Sequence, residues 1–322
     1  MRVAASSSGM PKHMKRVRKA HVKFAGLATA TRKRYRTSVL KFFRFLSLRN
    51  TSYPNSLLDL DFLVAEYVNH EYQDDGSFSR AQTLASALRR LYPPCRRSLH
   101  LAGQYLANWG KELVRKRALP LPQDVCLGMA GAALAQGDPG FATILLVGFV
   151  GLLRPMGMVL KARQIRVLRQ GSTAILLFEN SKGATRRGSP ETVMIHDPGV
   201  VGMLSSRIAQ VGADGFIFGG TWHDLQLRIT KYAKYMGLAH PDLTPYCIRR
   251  GGATWHFEKY ANLHATQHLG RWAQPATAKV YIDQAMVAQA SSSLDPAAKD
   301  LLAHARAVCA RMLRQYGYEA LH

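Results

Sequence analysis

The pattern of apolar positions divides the chain into a helical first part and a mixed second part. Between residues 28 and 112, apolar residues recur at the three- and four-residue spacing of amphipathic helices in four successive segments. The apolar face of the first segment is formed by Tyr35, Val39, Phe42, Phe43 and Leu46. The four segments predict a small helical bundle, and residues 1–27 before it are expected to form a basic flexible arm.

Short polar side chains mark where these helices should begin, because they accept hydrogen bonds from the first free backbone N–H groups. Thr29 or Thr31 is in position to cap the first helix. Asp61 is expected to cap the second helix, and Ser79 the third. The fourth helix is expected to run from about Arg97 to Trp109.

Beyond the bundle, helical and strand patterns alternate. Residues 113–122 carry a basic triplet and two prolines, which predict an extended linker. Two short apolar runs, Ala174–Phe178 and Thr192–Ile195, enclose a polar segment rich in Lys and Arg. This pattern is typical of a β-hairpin. A second domain is expected over residues 123–290, followed by a C-terminal helix in residues 291–322. The predicted fold class is therefore mainly α with a small β-sheet (α+β).

Composition adds that the chain is globular and strongly basic. Of its 322 residues 47% are hydrophobic, and the longest apolar stretch, Phe141–Leu153, is shorter than the about 20 residues that a bilayer span needs. Lys and Arg number 44 against 20 Asp and Glu, a net charge of +24. An intracellular protein that binds a polyanion, with nucleic acid as the first candidate, is expected.

The positive charge is concentrated near the N-terminus, where fourteen Lys and Arg residues precede the first acid, Asp59. The residues expected to contact DNA are Arg32, Lys33, Arg34, Arg36, Lys41, Arg44, Arg115, Lys116, Arg117, Arg186 and Arg187. In the arm, the run Lys15–Lys19 is consistent with a nuclear import signal, a phosphate-binding tail or an organellar transit peptide. A nuclear location is favoured, with organellar import left open.

Cysteine and histidine spacing indicates neither a metal nor another cofactor. The four cysteines are Cys95, Cys126, Cys247 and Cys309. They form no C-x-x-C pair, so free thiols in a reducing compartment are expected. His264 and His268 are four residues apart, as metal ligands on one helix face are, but no Cys or acid completes a set.

Five short motifs follow one another along the second part. They are Gly151–Pro155 (G-L-L-R-P), Lys182 on the hairpin, Thr244–Thr254 (T-P-Y-C-I-R-R-G-G-A-T), Leu269–Trp272 (L-G-R-W) and Val280–Ile282 (V-Y-I). Trp272 lies nine residues before Tyr281. Any one motif is a weak signal, but the ordered set with this spacing is specific.

With this order and spacing the chain resembles the tyrosine recombinase (phage integrase) family over nearly its whole length. The R-R-G-G-A-T run is similar to members carried by eukaryotic mobile elements. The resemblance implies a SAM-like core-binding bundle over residues 28–112 and an integrase-like catalytic domain over residues 123–290. It also implies site-specific breakage and rejoining of double-stranded DNA through a 3′-phosphotyrosine, without metal or ATP.

The same resemblance assigns roles to individual residues. Tyr281 would be the nucleophile. Arg154 and Arg249 would brace the attacked phosphate with charge-assisted hydrogen bonds. Lys182 would donate a proton to the leaving 5′-hydroxyl, and Trp272 would support the phosphate through its indole N–H.

Two positions depart from the family pattern. Tyr246 stands where the family's H-x-x-R has histidine, and a phenol, which titrates near 10, accepts protons poorly at neutral pH but still donates a hydrogen bond. Gly157 stands three residues after the first arginine, where the family often has an acid that orients its neighbours. A catalytically impaired, domesticated DNA-binding protein of the same fold is therefore the alternative function. An RNA-binding or structural basic protein is a third, but the aromatic signature of RNA-recognition sheets is absent from the sequence.

The last predicted helix, Asp295–Tyr316, carries an apolar stripe from Leu301 to Leu313 that has to be buried. It packs either on its own catalytic domain or in trans on the next protomer, as C-terminal segments of the resembled family do. Docking in trans would join protomers head to tail into a tetramer on DNA.

Overall fold

Residues 26–113, 117–168, 172–179, 181, 184, 188–238 and 243–316 are described by the computed structural model. They form two compact units, one ending at residue 113 and the other beginning at residue 117. Each unit has a buried core of its own. Most of the basic arm, residues 1–25, lies outside the described residues, as do Arg115, Lys116, Lys182, Arg186 and Arg187.

The first unit is a bundle of four helices, as the apolar periodicity predicts. Its elements are α1 (Thr29–Leu48), α2 (Leu57–Gln73), α3 (Phe78–Leu91), a 3-10 turn (Pro93–Arg97) and α4 (Leu101–Glu112). Phe42 and Phe45 of α1 pack edge to face on Tyr67 of α2, with ring centroids 5.7 and 5.2 Å away. Phe43 was expected on the same apolar face, but it is exposed and packs on Tyr53 instead.

The predicted caps of these helices are wrong, because each helix begins earlier than the polar residue that was expected to start it. The residues before α1, α2 and α3 are Ala28, Ser56 and Ser77, and of these only Ser56 accepts a capping hydrogen bond. Asp61 lies inside α2 and is buried. Its carboxylate accepts three backbone N–H bonds of 2.9 Å from residues 100–102, so it caps α4, the fourth helix, from across the bundle.

The second unit is mainly helical with one small antiparallel sheet, in agreement with the predicted fold class. Its helices are α5 (Gln123–Ala135), α6 (Pro139–Val150), α7 (Pro198–Val211), α8 (Trp222–Tyr235), α9 (Tyr246–Tyr260), α10 (Leu263–Gly270), α11 (Pro275–Lys279), α12 (Gln284–Ser292) and α13 (Pro296–Arg314). Its strands are β1 (Ile165–Val167), β2 (Ala174–Phe178) and β3 (Glu191–Ile195), in the order β1-β2-β3. The predicted hairpin is confirmed, whereas β1 has too few residues to give an alternating pattern.

The C-terminal helix α13 packs on α5 of the same chain. Leu302, Ala305 and Leu313 are buried in the core of the second unit. The two helices approach so closely that a Cβ at Gly131 of α5 would collide with the backbone carbonyl oxygen of Ala305. The apolar stripe is therefore covered in cis, and the expectation that this helix docks in trans on another protomer is wrong. No helix among the described residues has the length and apolar character of a membrane span.

Candidate active site

The site is built around a turn at the end of α6. Gly151 follows the helix, and Leu152, which is fully buried, has the left-handed backbone angle φ = 46°, which side-chain-bearing residues adopt rarely. This turn brings Arg154 to the surface two residues later, with 40% of its side chain exposed. The carbonyl oxygen of Leu152 accepts hydrogen bonds from Arg249 Nη1 and from Arg271 Nη2, the latter at 3.1 Å. Arg249, which is buried, and Arg271, which is nearly buried, therefore hold the strained turn that carries Arg154.

Arg249 is the most completely buried of these arginines, with 1% of its surface exposed. Its Nη2 donates to the carbonyl oxygen of Gly270 at 2.6 Å, and its Cζ lies 4.4 Å from the ring centroid of Trp272. Burial, followed by repulsion from Arg271 and Arg154, lowers the pKa of Arg249 to about 9, although the nearby Tyr281 phenol counteracts this shift. The guanidinium is thus charged at neutral pH and sits in an environment that favours an anion beside it.

Trp272 and Tyr281 pack against each other beside Arg249. Their ring centroids are 4.7 Å apart at an interplanar angle of 40°, and Arg249 Cζ lies 5.3 Å from the tyrosine ring. Trp272 is buried in a small cluster with Leu152, whereas Tyr281 is half-buried in the turn between α11 and α12. The nine-residue spacing of the sequence is therefore the length that lets α11 return the tyrosine to the tryptophan.

The segment after the tyrosine is tied to α9. Thr254 Oγ1 accepts the backbone N–H of Asp283 at 3.1 Å and lies 3.4 Å from the carbonyl oxygen of Tyr281. The neighbouring Arg250 is buried and forms an ion pair of 3.2 Å with the carboxylate of Asp283. Its other terminal nitrogen, Nη1, donates to the carbonyl oxygen of Ala118, just after the expected linker triplet. These contacts fix the backbone on which the tyrosine sits.

A buried carboxylate completes the site. Glu191 binds Arg154 Nη1 at 3.0 and 3.2 Å and Arg271 Nε at 3.0 Å, and it accepts a hydrogen bond of 2.5 Å from Ser181 Oγ. Burial by itself raises the pKa of this carboxyl, but the Ser181 hydrogen bond and the charges of both arginines together outweigh it and hold the pKa below its ordinary value. Glu191 is therefore ionised at neutral pH.

Of the residues predicted to carry chemistry, the structure brings Arg154, Arg249, Trp272 and Tyr281 together. Tyr246 is the first residue of α9, one turn before Arg249, and is exposed. Lys182 lies outside the described residues. Sequence analysis missed the supporting residues Glu191, Arg271, Arg250 and Asp283. Arg271 stands inside the L-G-R-W motif, and Glu191 is an isolated acid after a basic hairpin tip, so each had a weak local signal.

The predicted DNA contacts of the first unit lie on the surface of α1. Lys33, Arg34, Arg36, Lys41 and Arg44 are exposed, and Arg32 is half-buried. In the second unit, Arg117 is also exposed. Across the described part of the chain, no three His, Cys, Asp or Glu side chains are grouped so that they would hold a metal ion.

Comparison with known proteins gives matches among solved structures alone. No family model matches the chain, and no curated protein matches it. The XerH site-specific recombinase bound to palindromic difH substrate aligns at a TM-score of 0.55 with 17% identity, covering 81% of this chain and 79% of that one. The Tn1549 transposon integrase in complex with transposon right end DNA aligns at 0.54 with 14% identity, covering 87% and 96%.

A third match is a lambda integrase (75–356) dimer bound to a COC′ core site, with a TM-score of 0.54, 17% identity, and coverage of 84% of this chain and 94% of that one. These three proteins are recombinases and integrases, and the likeness extends over both units. The chain therefore has the tyrosine recombinase/integrase fold.

Proposed function

We propose that this protein is a site-specific DNA recombinase that breaks and rejoins DNA through a 3′-phosphotyrosine formed on Tyr281. The observation that carries the proposal is the position of the Tyr281 ring. Its centroid lies 4.7 Å from the ring centroid of Trp272 and 5.3 Å from Arg249 Cζ. Attack on a phosphodiester needs a nucleophile next to cations that stabilise charge on the phosphate oxygens. The fold supports the same class of reaction, since the matching structures are recombinases and integrases.

The proposed reaction conserves bond energy without a cofactor. The Tyr281 phenol loses its proton to water as its oxygen attacks the phosphorus, and the bond from phosphorus to the 5′-oxygen of the next nucleotide breaks. Arg154 and Arg249 stabilise the negative charge that develops on the phosphate, and Lys182 gives a proton to the departing 5′-oxygen, which leaves as a hydroxyl. Attack by a 5′-hydroxyl of a partner strand then reverses these steps and releases the tyrosine. Tyr246 contributes a hydrogen bond to phosphate rather than a proton-accepting group.

In this proposal, the basic surfaces bind double-stranded DNA. The exposed Lys and Arg side chains of α1 and the exposed Arg117 are suited to phosphate contacts, which give affinity without sequence preference. A lambda integrase tetramer bound to a Holliday junction matches at a TM-score of 0.52 and 16% identity, which supports assembly of four copies on DNA here. Because α13 is buried in cis, such an assembly would use other surfaces. The Lys15–Lys19 run supports action in the nucleus, and the similarity of the R-R-G-G-A-T run to members carried by eukaryotic mobile elements supports action on behalf of such an element.

A second candidate is a DNA-binding protein of the same fold without cleavage activity. The observation that favours it is the state of Arg249, whose two terminal nitrogens both donate to backbone carbonyls, of Leu152 and Gly270. Each of these nitrogens has a second hydrogen, but the group has to be uncovered before a phosphate reaches it. The exposed phenol of Tyr246, where a histidine is usual, points in the same direction.

Covalent capture separates the two candidates. A pool of duplexes with randomised sequence, each carrying one 5′-bridging phosphorothiolate, is incubated with the protein, since the thiolate leaving group prevents religation. The recombinase proposal expects an adduct that survives denaturant and is removed by protease, and that is lost in Tyr281→Phe. Tyr260→Phe is the matched control, because Tyr260 is exposed and lies at the end of α9. DNA binding without any adduct, or an adduct that persists in Tyr281→Phe, would overturn the proposal.

A further inference from the structure

An aromatic ring, that of Phe178, lies next to Gly157, three residues after Arg154. Gly157 stands where an acid would be expected, and a Cβ there would lie 3.3 Å from the ring of Phe178, at the end of β2. Phe178 is the direct cross-strand partner of Glu191, at the start of β3. Directly opposed residues of an antiparallel pair project on the same face of a sheet. The ring therefore fills the place next to Gly157, and its partner brings a carboxylate to the arginine from another element.

We propose that Glu191 is the positioning residue that supplies this carboxylate: it orients Arg154 toward the attacked phosphate, both directly and through Arg271. The inference rests on the proposed recombinase function. Glu191 contacts no reacting atom in it and acts through the two guanidinium groups. It is 4% exposed, so its ion pairs are shielded from water and restrict both side chains.

The two arginines are affected in different ways. Arg154 is bound through Nη1, and its 40% exposure leaves part of the guanidinium accessible to a phosphate oxygen. Arg271 is nearly buried, and Glu191 at its Nε aims the terminal nitrogens at the carbonyls of Gly151 and Leu152. Those carbonyls belong to the strained turn that carries Arg154. Glu191 thus sets the position of Arg154 directly and through the turn.

The charge balance gives a second reason for an anion at this place. Burial is the largest cause of the lowered pKa of Arg249, and repulsion from the nearby Arg271 and Arg154 lowers it further. The Glu191 carboxylate, which pairs with Arg154 and Arg271, offsets part of this repulsion. Glutamine would preserve the shape of the side chain but remove this charge.

Glu191→Gln is the decisive variant, and Glu71→Gln is its matched control. Glu71 in the first unit is likewise buried, bound to an arginine (Arg80, 3.0 Å) and hydrogen-bonded to a hydroxyl (Tyr67, 2.7 Å), but it belongs to no part of the site. Glu191→Gln loses the ion pairs with Arg154 and Arg271, and Glu71→Gln loses the pair with Arg80, so both should lower the melting temperature. The Glu191 variant alone should change the chemistry.

The measurement is the rate of covalent capture of the phosphorothiolate duplexes at saturating protein, together with the affinity for the same duplexes. A misplacement of a catalytic group by about 1 Å slows a reaction by about 100-fold, and we expect a loss of this order in Glu191→Gln with unchanged duplex affinity. Glu191→Asp, which keeps the charge, should recover part of the rate. Glu71→Gln should capture at the wild-type rate.

The outcomes are distinct. Capture by Glu191→Gln at the wild-type rate overturns the inference and leaves the recombinase proposal standing. Equal slowing in Glu191→Gln and Glu71→Gln also overturns it, because general destabilisation would then be the cause. A wild-type chain that captures no duplex overturns the recombinase proposal, and the role of Glu191 with it.

Discussion

The indole ring of Trp272 packs against the phenol ring of Tyr281, with 4.7 Å between the ring centroids. Replacing Trp272 by alanine should therefore remove a buried side chain and, with it, the ring against which Tyr281 packs. We expect the free energy of unfolding to fall by about 3–5 kcal/mol, as for other large aromatic truncations in cores. Denaturant unfolding measures this loss.

Trp272→Phe is the informative comparison, because it keeps an aromatic face toward Arg249 and Tyr281 but removes the indole N–H. It should unfold closer to the wild type than the alanine variant does, and it should retain slow covalent capture. If the phenylalanine variant is as unstable as the alanine variant, ring packing is not what Trp272 contributes.

The close approach of α5 and α13 predicts a strong effect of one methyl group. Gly131→Ala would drive a Cβ into the backbone of Ala305, and overpacking of this kind costs about 1–3 kcal/mol or more. Gly103→Ala, in α4, is the control, because there the added Cβ meets only the end of the Arg89 side chain at 3.5 Å. That variant should gain about 0.5–1 kcal/mol from helix propensity. Thermal unfolding of both variants tests the contrast, and similar destabilisation in both would contradict it.

The four thiols should be unreactive in the folded protein. Cys95, Cys126, Cys247 and Cys309 are all buried, and burial raises the pKa of each, to about 12 for Cys247 and Cys309. Only the thiolate reacts with disulfide reagents. Because the pKa of each thiol is raised, the thiolate population at pH 8 is very small. We expect no thiol release by a disulfide reagent in buffer and four equivalents in denaturant. Rapid labelling of Cys309 in buffer would mean that α13 opens readily.

The Lys and Arg side chains of α1 should determine the salt dependence of DNA binding. Lys41→Ala with Arg44→Ala removes two exposed cations, and the slope of log affinity against log salt should fall by about 0.9 for each phosphate that the protein no longer neutralises. Arg311→Ala with Arg314→Ala removes the same charge from the exposed side of α13 and is the matched control. Equal changes in slope for the two pairs would show that only the net charge matters.

Acid should remove the contribution of Glu191 to stability. Its pKa is lowered in the folded state, so the stabilisation is fully present above the unfolded value of about 4.3 and is lost as the pH falls through the folded value. The difference in unfolding free energy between wild type and Glu191→Gln should therefore be constant from neutral pH to about 5 and shrink below about 4. A difference that grows in acid would contradict the assigned ion pairs with Arg154 and Arg271.

Sequence reasoning predicted what depends on local spacing. The three- and four-residue recurrence predicted the four helices of the first unit, and the order of motifs predicted Arg154, Arg249, Trp272 and Tyr281, which lie near one another in the structure. The helix caps failed for a physical reason: the partner of Asp61 is the start of α4, some 40 residues further along the chain. A side chain that binds at such a distance looks, in sequence, like a cap for its own helix.

The partners of the site's supporting residues could not be predicted for the same reason. Glu191 meets Arg154 from 37 residues away, and Arg249 reaches the carbonyl of Leu152 across 97. Gly157 indicated that a carboxylate was missing from its usual place, but only the pairing of Phe178 with Glu191 shows where another one comes from. Backbone carbonyls as partners of arginine leave no trace in the sequence at all.

The pairing of α5 with α13 also constrains when the protein becomes folded. Of the helices that the structure describes in the second unit, α5 emerges from the ribosome first and α13 last. The almost fully buried α5 has no cover along one side until Leu302, Ala305 and Leu313 have been synthesised. Chains interrupted before this point would expose apolar surface of the kind that chaperones and proteases recognise. Synthesis of the last helix would thus act as a checkpoint, so that truncated chains with a basic bundle but an unfinished second unit are degraded rather than left to compete for DNA.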